Sequence, residues 1–143
     1  MTTIDRGLES ARQALKVGLG LAAFLAGLDK FFYLLADWSV YVSPLAKAVL
    51  PVSTTTFLDV VGAVEMAVGL GILTGWTRIA SYVAMVWLAS IALNLITTGH
   101  FFDVAVRDVE MAIAAYALAR LTEAHEARAA REPVVASASS RAA

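Results

Sequence analysis

Cysteine is absent from the 143 residues. That excludes disulfides, thiolate nucleophiles, cysteine-ligated zinc and iron–sulfur ligation in one step. Histidine is nearly absent as well. His100 and His125 are the only two, too few for an all-histidine metal site. Charge is scarce, at 16% of residues, and 11 Lys+Arg against 12 Asp+Glu leave a net charge of -1. A basic nucleic-acid binder does not look like this. There is no phosphate loop, dinucleotide fingerprint, nucleophile elbow or helical zinc motif. The sequence therefore assigns no catalytic residue, no metal site and no intrinsic cofactor, and an unaided enzyme is not the expectation.

Apolar residues are abundant instead. They make up 59% of the chain, against roughly 45–50% in soluble domains, and the mean hydropathy is +0.73. Such a chain has ample surface to bury and belongs in a membrane. A spanning helix needs about 20 mostly apolar residues. Four candidates meet or approach this: 17–36, interrupted by Asp29 and Lys30; 57–76, carrying Asp59 and Glu65; 79–96, free of charge; and 103–121, whose first turns hold Asp103, Arg107, Asp108 and Glu110. These runs are too long for strands and lack period-2 alternation. An isolated span must also satisfy its own backbone, which a helix does. The expected fold is all-α, a four-helix integral membrane bundle at 17–121, with a polar segment at 1–16 and a polar tail at 122–143. Met66, Met85 and Met111 read as core fillers. A signal peptide over residues 1–26 fits poorly, because Phe24 stands where a small residue is wanted and the apolar run resumes after Lys30.

Lys and Arg near span ends set orientation. With four spans, one side holds Arg6, Arg12, Lys16, Arg78, Arg120, Arg128, Arg131 and Arg141, and the other holds Lys30, Lys47 and Arg107. Eight against three places both termini in the cytoplasm. Between the first two spans, Pro44 and Pro51 bracket a short interfacial helix, and Ser53 to Thr56 offer hydroxyl caps. Gly75–Thr77 is a tight inner turn. Gly99 is a C-cap candidate for the third span. Pro133–Ala143 is Ala/Ser-rich and reads as disordered.

Small residues mark helix-packing faces in lipid. Ala63, Ala67, Gly71 and Gly75 recur every four residues, with Gly62 and Gly69 nearby, and could pack within the bundle or dock another chain. The acids and bases at membrane depth stand out more, since each costs about 2.5–3.5 kcal/mol on insertion scales and normally faces a partner. Asp103, Arg107 and Glu110 share a helical face and can pair among themselves. Asp108 points about 100° away. Lys30 then needs a carboxylate from Asp59, Glu65 or Asp108. Glu65 is the deepest acid, about 9 Å beyond Asp59 by helix rise. A salt-bridge network that fixes register and a polar pocket for a head group, small anion or proton both account for this set. Lys30, Asp59, Glu65, Arg107 and Asp108 are the candidate binding or relay residues, supported by Arg78, Asn94, Asp103 and Glu110. Thr97 stands close enough to join them, and His100 reads as a solvated loop residue.

Gly27-Leu28-Asp29-Lys30-Phe31 resembles the Gly-x-x-Lys-Phe element of DoxX-like membrane proteins. Gly62-Ala63-Val64-Glu65, followed by Gly69, Gly75 and Arg78, resembles that family's second-span element. The resemblance covers about 17–121 and implies four spans, with Lys30, Glu65 and Arg78 as positions of interest. It also implies a link to redox complexes, since DoxD-type relatives are subunits of a thiosulfate:quinone oxidoreductase. The cysteines of the methylamine-utilisation branch are missing. The functional expectation is a small subunit or partner of a redox complex in the cell membrane, beside a quinone or another bound lipid. The alternatives are a structural assembly subunit and a small proton-coupled transporter acting as an oligomer. The expected partners are membrane lipids, other membrane subunits or a second copy.

Overall fold

The computed structural model describes the backbone of residues 3–141 and the side chains of residues 3–131. Five α-helices make up most of the described residues: α1 (Thr3–Asp29), α2 (Pro44–Val49), α3 (Thr54–Leu73), α4 (Thr77–Thr97) and α5 (Phe102–Arg141). A 3-10 turn at Trp38–Tyr41 precedes α2. No strand occurs among the described residues. Helices α1, α3 and α4 are each long and apolar enough to cross a membrane.

The ends of the elements have local causes. The apolar run that predicts a first span to residue 36 is cut short, because α1 stops at Asp29. Tyr33 swings into the left-handed region at φ 54, and its amide bonds back to the Asp29 carbonyl at 2.7 Å. Hydropathy cannot see this, since Phe31, Phe32, Leu34 and Leu35 stay apolar although the backbone has left the helix. At its other end α1 begins at Thr3, well before residue 17. Helix α2 starts at Pro44 behind a Ser43 cap, whose hydroxyl accepts from the Ala46 amide at 3.1 Å. Ser53 caps α3 through the Thr56 amide at 3.1 Å. A three-residue turn then leads into α4, and Thr77 donates its hydroxyl to the Ile72 carbonyl at 2.8 Å. Gly99, at φ 74, closes the turn after α4. The backbone of α5 stays helical past residue 121 to Arg141. The side chains of the expected disordered tail, Pro133–Ala143, lie outside those described.

Helix α1 packs along α3 and α4 along α5, and the two pairs meet through α3–α4 and α1–α5. The shared core is slim: Leu19, Ile72 and Leu118 among Ala80, Ala84 and Ala115. Alanine there lets the helices lie close. The large side chains point outward instead, with Val60 59%, Leu93 65% and Ile113 63% exposed. An apolar exterior around a small-residue interior is the arrangement helices adopt in lipid.

Side-chain contacts define two ends. At one, Lys16 bonds the Thr74 carbonyl, Arg78 pairs with Glu126, and Asp5 and Glu9 of α1 meet Arg128 and His125 of α5. The beginning of α1 and the far part of α5 therefore share this end. At the other, the connection between α1 and α3 folds over the helices, and Asn94 of α4 holds it. Its amide donates to the Tyr41 carbonyl at 2.7 Å and its oxygen accepts from the Ser43 amide at 3.2 Å.

Candidate functional site

Backbone proximity builds the site. Gly27 of α1 lies against Gly62 of α3: a Cβ on Gly27 would come 2.5 Å from the Gly62 carbonyl and 2.9 Å from Glu65 Cβ. One contact further along, Gly20 and Gly69 meet in the same way, a Cβ on Gly69 falling 2.7 Å from the Gly20 carbonyl. Seven residues separate the glycines on each helix, close to two turns, so the contact follows a single face. The expected stripe is not this face. Ala63 and Ala67 are exposed, Gly75 has open space beside it, and Gly71 meets only Ala80 of α4. Two turns fit the α1–α3 crossing better than a four-residue repeat, which drifts round the helix.

This approach brings Lys30 to Glu65. Lys30 Nζ stands 2.5 Å from Glu65 Oε2, and their side chains are 5% and 9% exposed. The ammonium also reaches the Ala26 carbonyl at 3.4 Å. It sits 3.8 Å from the centre of the Trp38 ring, a cation–π contact that is worth more when shielded from water. On the other carboxylate oxygen, the indole N–H of Trp87 in α4 points to Glu65 Oε1 at 3.5 Å. The pair thus lies between two indoles, close to the middle of α3.

Asp29 positions one of them. Buried at the end of α1, its carboxylate accepts from the Leu34 and Leu35 amides at 2.9 and 3.0 Å and from Trp38 Nε1 at 2.8 Å. Asp37 anchors the turn beside it. Its bonds from the Ser39 hydroxyl and amide hold its carboxyl below the usual range. Asp29, Trp38 and Trp87 are the residues that sequence reasoning missed. Two are tryptophans in apolar surroundings. Asp29 sits beside Lys30, where the pair reads as one interruption of a span.

The remaining candidates divide. Asp108 is buried on α5, and its ion pair is with its neighbour Arg107 at 3.6 Å. Asp59 is half-buried and makes no hydrogen bond or ion pair among the described residues, so it does not meet Lys30. Asp103, Arg107 and Glu110 face outward and do not form the internal ladder their spacing suggests, because Arg107 turns to Asp108. Asn94 holds the connection above the site. Thr97 bonds the Asn94 carbonyl at 2.7 Å and supports it. His100 is exposed. Arg78 lies at the opposite end, half-exposed and paired with Glu126 at 2.9 Å.

Chemically the cluster offers a cation, an anion and an indole donor in apolar surroundings. The carboxylate is held firmly on Oε2 and loosely on Oε1, since a 3.5 Å bond is at the limit of a hydrogen bond. A hydroxyl could therefore donate to Oε1, and a carbonyl could accept from the Trp87 N–H. The ammonium has its directions taken by Glu65, Ala26 and the Trp38 face. A larger head group fits against it only if Trp38 moves. No family model, curated protein or solved structure matches the chain.

Proposed function

We propose that the chain is a four-span subunit of a quinone-linked redox complex in the cytoplasmic membrane, with both termini in the cytoplasm. In this reading the head group docks at the Lys30–Glu65 cluster. The fourth span is the apolar part of α5, shielded by α4. The orientation rests on the eight-to-three distribution of Lys and Arg. The observation that carries the reading is a buried ion pair at 2.5 Å, flanked by two indoles in the apolar part of the chain. Such groups are costly in lipid and mark a site by default. The resemblance of the segments around Lys30 and Glu65 to DoxX-like proteins supports the same assignment.

A bound quinone would supply the electron chemistry, and in this reading a partner subunit would pass it the electrons. The chain's own residues orient and balance. Trp87 donates to a head-group carbonyl. Glu65 Oε1 accepts from a hydroxyl and can hold a proton there. Lys30 keeps the carboxylate in place and offsets its charge.

The test is tagged purification from native membranes in mild detergent, followed by mass spectrometry of proteins and lipids. Oxidoreductase subunits and a stoichiometric quinone are expected. A homogeneous oligomer carrying neither overturns the reading. A second reading, an assembly subunit, is favoured by the closure of the pair, in which every polar atom is satisfied among the described residues. Gly71→Leu or loss of residues 133–143 would then release the chain from its complex without touching the cluster.

A further inference from the structure

The segment that covers Lys30 is built differently from the helices it joins. Between Asp29 and Ser43 it is held at two latches. One is the Asp29 carboxylate, which binds two amides and the Trp38 indole. The other is Asn94, which binds the Tyr41 carbonyl and the Ser43 amide. Within it, Tyr33 takes a left-handed conformation at φ 54, which bulky side chains rarely adopt. Its outer surface is apolar. Phe31, Phe32, Leu34 and Leu35 are 44%, 63%, 83% and 75% exposed, and they continue the apolar exterior of α1. Water is a poor solvent for four adjacent side chains of this kind, whereas lipid is a good one. Trp38 faces the other way, over the ammonium.

We infer that this segment is a lid whose closing element is Trp38, and that the Lys30–Glu65 pair is reached sideways from the bilayer by an uncharged, lipid-dissolved molecule with a carbonyl or hydroxyl head. The lid rests on its own geometry; only the quinone-like character of the occupant rests on the redox reading above. Three features set the route. The apolar residues of the lid face the lipid side, so an occupant arriving there crosses no polar surface. Trp38 is the group that leaves, because its ring covers the Lys30 ammonium and is held by one hydrogen bond to Asp29 and a tilted ring contact with Tyr41 at 6.0 Å. Asp29 is a positioning residue, since it fixes the indole without touching Lys30. An uncharged head is selected because the pair is already balanced, and a bare anion would bring an uncompensated charge to membrane depth.

Lysine chemistry tests this directly, because Lys16, Lys30 and Lys47 are the chain's only lysines. The full chain, in phosphatidylcholine vesicles, is treated with phenyl isothiocyanate, which dissolves in lipid, or with its water-soluble sulfonated form. Labelling of each lysine is read by peptide mass spectrometry, with exposed Lys47 as the internal standard. Wild-type Lys30 reacts slowly with both. Trp38→Ala raises its labelling by phenyl isothiocyanate about tenfold, the factor expected when a shielded cation–π cover is lost. The sulfonated reagent gains nothing. Trp38→Phe keeps a ring over the ammonium and loses the bond to Asp29; it gives a smaller gain with the same reagent preference. Unchanged Lys30 labelling in both variants removes the lid, and an equal gain with the sulfonated reagent overturns the lipid route. Absence of quinone from the purified complex would defeat the redox reading but leave this pattern intact. Flat labelling beside a retained quinone would do the reverse.

Discussion

The two ends of the molecule handle charge in opposite ways. At the end that carries the beginning of α1, ion pairs are numerous and, apart from the buried Arg12 in its pair with Glu9, open to water. Arg78–Glu126 leaves its side chains 48% and 47% exposed, and Arg120–Glu123 leaves 60% and 31%. Arg12–Glu9 and His125–Glu9 share one carboxylate. A cleft of about 710 Å³ opens between α1 and α5 among these groups. At the other end there is one dominant pair, Lys30–Glu65, with almost no exposure and an indole on either side. The same chemical contact is cheap and replaceable in the first setting. In the second, each charge depends on the other. Number of ion pairs therefore says little, and depth says most.

The largest effect should come from breaking the deep pair. Glu65→Leu leaves the ammonium unmatched and should lower stability by about 3–5 kcal/mol, read as loss of folded protein in a detergent melt. Lys30→Met/Glu65→Leu removes both charges and should recover most of that loss. If the double variant is as unstable as the single one, the pair is not the unit that matters.

The glycine contact ranks next. Gly62→Ala places a Cβ 2.6 Å from the Gly27 carbonyl, and backbone cannot swing aside. Overpacking of this kind costs about 1–3 kcal/mol. Ala63→Val, one residue away on the exposed side, should stay within about 0.5 kcal/mol. Equal effects would show that α1 and α3 do not pack as described.

These two experiments also separate what could be read in the sequence from what could not. Lys30 and Glu65 are legible because a charge inside an apolar run has few explanations. Their pairing is not legible, since Asp59 and Asp108 satisfy the same rule; the rotation of α3 set by Gly27 and Gly62 decides it. In the sequence a four-residue stripe through Ala63 and Ala67 is as regular as the seven-residue pair Gly62 and Gly69, which is the one that packs. The end of α1 is not legible because the Asp29 carboxylate accepts from amides five and six residues on, a contact no hydropathy window contains. The place of Trp38 over Lys30 follows from that turn and is no more legible than the turn itself. Arg78 had only its resemblance to the family pattern, and the structure puts it among the wet pairs.

At the wet end the effects should be small. Arg78→Ala should cost under about 1 kcal/mol in the same melt, and a larger loss would mean that the end is more closed than it looks. The smallest effect is a pH signature outside the apolar part of α1. Bonds from Arg12 and then Gln13 draw the Glu9 carboxyl down from 4.5 to about 2. A lowered acid stabilises the folded chain above its unfolded value and loses that contribution as pH falls through the folded one. The difference in melting temperature between wild type and Glu9→Gln should therefore be full above pH 4.5 and shrink as pH falls to about 2. A difference that stays constant over this range would show that Glu9 is not held by these bonds.

On the proposed reading the deep pair serves a bound head group and does more than fix helix register. The double variant Lys30→Met/Glu65→Leu tests it most directly, because it removes the chemistry while sparing the packing. Purified from native membranes beside the wild type, it should keep its partner subunits and lose the quinone. If the quinone stays at the wild-type ratio in a folded double variant, the pair is structural and the claim is wrong.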